Sequence, residues 1–381
     1  GLMGAIAEKY DLVWSDIGEV IHEPRYTVRF RGETVADLPI ALLVGGAPLC
    51  ALEMRPYSAE TPFSRPAAPV KDLALAVLAH PDVARKDWVY EQYDKEVQLR
   101  TVSFQQDAAV LRLEGKALVL SCGCNPRHIY LRPREGTANA VVENASNLAC
   151  LGAEPLCILD CLNFASPEHP EVAWQLEEAV LGLGDAARRM GIPVVGGNVS
   201  LYNESDEFGT AIKPTPSLGM IGRGEVREWT APAEGDLLAL IGRTSPDFGG
   251  SVLDAVTGCG GPAPGAADPA AVGLVRELVR DGRVTAATDL SRGGLLAALA
   301  KFAPRGDVSL AGDPVEALFA ETCGRFLVAA RDEAVLAGVE HRTIGTAGGD
   351  ALILRLRDGT VSIAPAEMET ALSATTRLMR Y

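Results

Sequence analysis

The sequence predicts an α/β (α+β) fold of two sheet-and-helix domains preceded by a β-hairpin tail. Three observations carry that expectation. Short strand-like apolar runs alternate with longer runs of helical period, as in PLCILDCLNF, EVAWQLEEAVLGLGDAARRMG and IPVV. The first 40 residues and the last 40 echo each other. Finally, 48% of the 381 residues are hydrophobic, enough to bury one or two sizeable cores.

The echo pairs Ile17-Gly18-Glu19-Val20 and TVRFRGETVADLP with Ile344-Gly345-Thr346-Ala347 and LILRLRDGTVSIAP. Gly18 and Gly32 are 14 residues apart, as are Gly345 and Gly359. Each copy reads as a hairpin turning at Arg-Gly-Glu or Arg-Asp-Gly. The second hairpin closes a domain that begins near Asp236, whereas only 16 residues precede Ile17, too few to make the layer a hairpin must cover. Residues 1–50 are therefore expected to be the C-terminal tail of a preceding module, and the chain to be the C-terminal part of a duplicated protein; the alternative is chance similarity between two hairpins. Residues 51–68, rich in Pro, Ala and Ser, read as a linker.

The central domain is expected over 69–224. DLALAVLAHPDVA reads as a helix broken at Pro81, and DAAVLRLEGKALVLSCGC as two strands joined at Glu114-Gly115. EGTANAVVENASNLACLGAEP reads as a helix with Val141, Ala145, Leu148 and Ala149 on one face, ended by Gly152. A buried strand stopping near Asp160, a long helix capped by Gly191 and the strand IPVV then form a βαβ crossover, whose two strands run in one direction. In the last domain, 235–381, GDLLALIGRTSPDFGGSVL and VTAATDLSRGGLLAALAKF each read as a strand, a glycine turn and a helix. Gly293-Gly294 either binds an anion through free amides or lets the helix pack closely on the sheet.

Composition narrows the function. A formal net charge of −15 without a basic cluster argues against nucleic acid. No apolar run approaches the ~18 residues of a membrane span, and the start lacks the pattern of a signal peptide, so a cytoplasmic protein is expected. The eight cysteines lack paired CxxC spacing and read as buried thiols.

The chemistry gathers at GGNVSLYNES, 196–205. It reads as a functional loop in which Gly196 and Gly197 turn the backbone beside a ligand, while Asn198, Ser200, Asn203 and Glu204 offer oxygens. The parallel crossover puts Asp160 and Asn198 on one rim. They either frame a hydrated magnesium–phosphate group or have local duties, Asp160 as a cap and Asn198 in a tight turn.

GGNVSLYNE, followed by PTPSLGMIG at 214–222, resembles the signature of the small-type synthetase subunits of phosphoribosylformylglycinamidine synthase. These belong to the aminoimidazole-ribonucleotide-synthetase-like ATP-binding superfamily and are built from two tandem copies of a two-domain unit. The segment around Tyr93-Asp94 and Thr101, the Asp289-Leu290-Ser291-Arg292-Gly293-Gly294 element and LFAETCGRFLV at 318–328 are similar to further family motifs. The resemblance implies that Asp160 and Gly197 contact ATP, that Asn198 holds Mg²⁺ and that Ser200 touches formylglycinamide ribonucleotide. It implies an ATP-dependent C–N ligase of purine biosynthesis, in which an amide oxygen is phosphorylated and ammonia displaces the phosphate. The implied partners are the N-terminal half of the synthetase, a glutaminase subunit that supplies ammonia and a small accessory subunit. The catalytic histidines belong to the absent first module, so no catalytic residue is expected here; His22, His80, His128, His169 and His341 match no family context and read as surface residues.

The sequence departs from the family at Gly123 and Arg132, where Asp is common, at Ser146, where Arg is frequent, at Arg292, where an acid is common, and at Thr322-Cys323. Two rival readings are a non-catalytic assembly half and another ATP-using enzyme of the superfamily, such as aminoimidazole ribonucleotide synthetase, thiamine-monophosphate kinase or selenide kinase. The latter carry a different glycine-acidic loop and lack Asn-Val-Ser-Leu-Tyr-Asn.

Overall fold

A computed structural model of the chain describes residues 1–48, 51–104, 107–205, 207–227 and 230–379. The chain divides into two compact units, Gly1–Ala51 and Leu52–Tyr381. The first holds α1 (Leu2–Lys9), the antiparallel hairpin β1 (Arg25–Phe30) and β2 (Glu33–Pro39), and α2 (Ile40–Gly45). The hairpin turns at Arg31 and Gly32, both at positive φ, as a right-twisted two-residue turn demands. An Arg25–Asp37 ion pair ties its open end. Apolar side chains of this unit, Phe30 and Val35 in the hairpin and Leu43 and Val44 in α2 among them, are exposed. Leu49 and Cys50, the end of the expected tail, lie outside the described residues.

In the second unit, β3 (Thr101–Ser103), β4 (Ala109–Leu113), β5 (Lys116–Gly123), β6 (Glu154–Asn163), β7 (Val194–Ser200) and β10 (Thr215–Gly224) form one sheet, ordered β3-β4-β5-β10-β6-β7. The two-residue strands β8 (Glu204–Ser205) and β9 (Thr210–Ala211) make a separate ribbon. All pairs in the sheet are antiparallel except β6–β7, which are parallel and joined by α7 (Pro170–Met190). A second sheet is built from β11 (Leu237–Ile241), β12 (Ala286–Leu290), β13 (Gly306–Ser309), β14 (Arg325–Ala330), β15 (Arg342–Ala347), β16 (Leu352–Leu356) and β17 (Gly359–Ile363). Its order is β12-β14-β11-β15-β13-β16-β17.

The remaining helices fill the layers: α3 (Val70–Ala79), α4 (Asp87–Glu91), α5 (Pro126–Leu131), α6 (Pro133–Ala149), α8 (Val252–Thr257), α9 (Ala270–Arg280), α10 (Gly294–Phe302), α11 (Pro314–Phe319), α12 (Pro365–Leu372) and α13 (Ala374–Met379). Helix α6 lies between the sheets. Val141, Ala145, Leu148 and Ala149 join a core with Val119 and Met220 of the first sheet and Ala239, Phe326 and Val328 of the second. A helix enclosed on both sides has no solvent for its polar side chains, so Thr137, Asn144 and Ser146 bond back to carbonyls four residues earlier, at 2.8 Å each.

Several expectations change. Helix α3, expected in the central domain, puts Leu73, Ala74, Val77 and Leu78 into the core on the far side of the second sheet, with Leu295, Leu299 and Leu327. Its apolar face fits that layer, which the first sheet does not offer. Residues 52–68 are pinned rather than free: Arg55 N donates to Pro170 O, Ser64 N donates to Cys259 O, and Phe63 stacks on Phe248 at 4.6 Å. Strand β6 is half-exposed and continues to Asn163 instead of stopping near Asp160, because β10 and β7 pair with it that far. Cys122 is exposed, against the expectation of buried thiols, although Cys124, Cys150 and Cys259 are buried.

Candidate functional site

The glycine pair does not turn. Gly196 and Gly197 lie inside β7, neither at positive φ, and the chain reverses afterwards at Leu201–Asn203, where Tyr202 takes a φ of 61°. The parallel register sets Asp160 against Gly197, Cys161 against Asn198 and Asn163 against Ser200. Since successive strand residues point to opposite faces, Asp160 and Asn198 share an edge of the sheet but not a face. Asp160 and Gly197 face the helices, in a row with Gly123 and the buried Leu218. Asn198 and Ser200 project from the opposite face, beside Cys161, Asn163, Thr215 and Ser217. The two residues therefore do not close on one ion, which corrects the reading of a shared magnesium–phosphate site.

Gly197 has a steric task. A Cβ on it would stand 2.3 Å from Cγ and Oδ1 of Asp160 and 2.4 Å from Oδ2. The carboxylate lies in the space a side chain would fill. Burial pushes the Asp160 carboxyl above its ordinary range, and no hydrogen bond from the described residues draws it back. Gly196, by contrast, has nothing within 4 Å of a Cβ.

The remaining oxygens divide between architecture and availability. Asn203 is spent on the turn: its Nδ2 donates to Phe164 O at 2.9 Å and to Ser200 O at 2.8 Å. Glu204 Oε2 accepts from Ser166 N at 3.0 Å. Among the described residues the Asn198 side chain has one long 3.9 Å contact, from Nδ2 to Cys161 Sγ, which leaves its carbonyl oxygen available. Ser200 Oγ donates to Asn203 Oδ1 at 3.2 Å and retains its acceptor capacity. Among the described residues no three His, Cys, Asp or Glu side chains converge on a metal position. A magnesium ion at Asn198 would take one neutral protein oxygen here and draw its other ligands from water, phosphate or another chain, as Mg²⁺ does when held mainly through substrate.

The departures have local explanations. A side chain on Gly123 would begin 3.3 Å from Asn144 Nδ2 and 3.6 Å from Glu143 Oε1, so an aspartate there would meet a carboxylate. Arg132 Nε donates to Glu60 Oε1 at 2.6 Å and its NH2 to Glu60 Oε2 at 3.2 Å, holding the strap of residues 52–68. Buried Ser146 bonds within its helix. Arg292 bonds to the Cys124 carbonyl, and Thr322 Oγ1 donates to Asp247 Oδ2 at 2.7 Å. Gly293-Gly294 serves packing rather than anion binding: a Cβ on Gly294 would lie 2.7 Å from Ala320 O, and Gly293 N already donates to Glu321 Oε1 at 2.7 Å.

Sequence reasoning missed Glu321 and misplaced His128. His128 is 7% exposed rather than a surface residue, and Glu321 is 3% exposed. The Pro-started, Asn125-capped helix α5 that turns His128 inward was the available signal; Glu321 lies within the 318–328 segment, but its task was hidden because its partners are 28 and 69 residues away.

Comparison with known proteins identifies the family. Residues 105–224 match the family described as AIR synthase related protein, N-terminal domain, and residues 233–345 its C-terminal domain. The chain is 46% identical to phosphoribosylformylglycinamidine synthase subunit PurL of Methanosarcina mazei over 98% of its own length and 56% of that relative. With the Thermococcus gammatolerans subunit it shares 43%, over 92% of this chain and 52% of the relative. The chain thus spans about half the length of the curated relatives it matches. In fold it is similar to T. maritima PurL complexed with ATP, with a TM-score of 0.57 and 24% identity over 87% of this chain and 50% of that one. The figures for T. maritima PurL complexed with FGAR are 0.64 and 18%, over 80% and 54%. With both domains matched in order and close relatives along nearly all its length, the chain belongs to the AIR synthase related family.

Proposed function

We propose that this chain forms one wall of the active site of phosphoribosylformylglycinamidine synthase, which converts formylglycinamide ribonucleotide to its amidine with ATP and ammonia. The carrying observation is the rim itself: two neighbouring parallel strands present Asp160 and Asn198 without strong internal partners, while Asn203 and Glu204 hold the adjoining turn. An amide is a poor electrophile. Transfer of the ATP γ-phosphoryl group to its oxygen gives an iminophosphate, ammonia adds at that carbon, and phosphate departs with the former amide oxygen. Mg²⁺, when bound, neutralises phosphate charge.

The residues here position. Asn198 Oδ1 suits a metal–phosphate group on the uncovered face, and Ser200 Oγ suits the ribonucleotide two residues further along that face. A carboxylate repels phosphate, so Asp160 is suited to accept a hydrogen bond from a nucleotide hydroxyl or amino group, with Gly197 making room for it. The catalytic histidines would come from the N-terminal half of the synthetase, the ammonia from a glutaminase subunit, and a small accessory subunit would complete the assembly in the cytoplasm. In keeping with this, residues 1–50 read as the tail of the preceding module, a hairpin whose apolar side chains want a body to cover.

The test mixes this chain with the N-terminal half and measures ATP- and ammonium-dependent amidine formation. Activity that appears only on mixing, and falls at least tenfold with Asn198→Ala, is expected; an Asn198→Ala variant of unchanged activity overturns the proposal. A second reading, a non-catalytic assembly half, draws on the lack of converging metal ligands among the described residues. Calorimetric titration of Mg-ATP separates the two, since heat in neither the isolated chain nor the mixture favours the assembly role.

A further inference from the structure

Two buried, unpaired polar atoms lie together away from the rim, where helix α5 meets the second sheet. Glu321 Oε1 accepts from Val252 N at 2.8 Å and from Gly293 N at 2.7 Å, so one oxygen braces the starts of α8 and α10 together. Among the described residues its other oxygen has no hydrogen-bond partner, and neither has Nε2 of His128. These two atoms face each other across 3.5 Å, and both residues are more than nine-tenths buried. A buried polar atom left unpaired is costly, and here two such atoms point at one place.

Beside this pair lies a cavity of about 20 Å³ that both residues line, with Asn125, Glu143, Arg292 and Cys323 also in its wall. A water molecule needs roughly 10–15 Å³ of such space and two to four polar partners. We propose that this hole is the binding site of a single ordered water molecule that bridges His128 Nε2 and Glu321 Oε2 and so joins α5 to the two glycine turns of the second sheet. Above pH about 7, with Glu321 ionised and His128 in the Nδ1–H tautomer, both orphan atoms are acceptors, and one water supplies the two protons they lack. Its lone pairs are left for the Asn125 amide and the Arg292 guanidinium. A metal ion does not suit the place, because the Arg292 cation stands in the wall. A protonated Glu321 could reach His128 directly only by closing a gap longer than the usual 2.7–3.0 Å or so of such a bond.

The experiment is a crystal structure of the full chain at a resolution that shows ordered water. One isolated peak within hydrogen-bonding distance of both Nε2 and Oε2 is expected. An empty hole, or a direct His128–Glu321 bond with no peak, overturns the proposal. In solution, oxygen-17 relaxation dispersion counts long-lived internal waters. His128→Phe is expected to lose one, whereas His128→Gln, which keeps an acceptor at the same reach, retains it. A count unchanged in the phenylalanine variant overturns the proposal; if that variant does not fold, the crystal structure decides alone.

Discussion

The carboxylate of Asp160 rests over the Cα of Gly197, at 2.3 Å from where a Cβ would stand. Gly197 is thus fixed by a neighbour on the adjacent strand, whereas Gly196, one residue earlier, is sterically free. Gly197→Ala must swing the short Asp160 side chain aside, an overpacking effect of about 1–3 kcal/mol. The expected result is Mg-ATP affinity of the reconstituted enzyme weakened about tenfold or more, while Gly196→Ala stays within about twofold. Isothermal titration of the two variants side by side checks this, and equal behaviour would show that the carboxylate's placement is irrelevant to binding.

Asn198 and Asn203 look alike in the sequence and differ in the fold. Asn203 closes the turn with two hydrogen bonds, so Asn203→Ala is expected to lower stability by about 1–3 kcal/mol in urea unfolding. Asn198 has one long contact to a thiol, and its alanine variant should unfold at the wild-type midpoint while losing synthetase activity. An Asn198→Ala variant that is both inactive and unfolded would assign it a structural task instead.

Legibility followed the range of the interaction. Local periodicity made α6, α7 and the β4–β5 hairpin readable, and Gly191 sits at positive φ at the end of α7 as a C-cap should. The βαβ rule gave the parallel pairing of Asp160 beside the glycine strand. What failed was inference from composition: small and amide residues at 196–200 looked like a loop, yet β7 is an edge strand with one neighbour, where little side-chain packing is required. The face of each side chain was also hidden, because it depends on a register that only the paired strand fixes. Glu321, Glu60 and the docking of α3 were silent for the same reason, their partners being far away in the chain.

The Glu60–Arg132 pair explains a departure from the family and makes it testable. Glu60 Oε1 also accepts from Ala263 N at 2.9 Å, so the pair links the strap, the start of α6 and the following domain. Arg132→Asp, which restores the residue common in the family, sets two carboxylates together. Both partners are partly exposed and screened, so a loss of about 1–2 kcal/mol is expected. Adding Glu60→Arg should recover at least half of it, read from thermal midpoints in a double-mutant cycle. No recovery would mean that Arg132 acts through other contacts.

His128 and Glu321 should make stability depend on pH in opposite directions, which shows in full only when they are separated. Burial, helped by Arg292 and Arg127, pushes His128 down to about 3, and burial pushes Glu321 up to about 7 against its bonds from Val252 and Gly293. The charged groups facing the pair are thus Arg127, Arg292 and Glu143, and neither member governs the other's shift. Unfolded, histidine titrates near 6.5 and glutamate near 4.5. Between these two values the folded chain carries one extra proton on Glu321 and one fewer on His128, so the two slopes cancel. In Glu321→Gln only the histidine remains: the unfolded state binds the additional proton, and stability rises with pH from about 3 to 6.5, by up to about 1.4 kcal/mol per unit. In His128→Gln only the glutamate remains: the folded state holds the additional proton, and stability falls as pH rises from about 4.5 to 7. Urea unfolding at a series of pH values, each variant referred to wild type, should give differences of opposite slope. Two flat differences would mean that neither group is as desolvated as its burial demands, and two slopes of one sign would mean that a third group titrates with them.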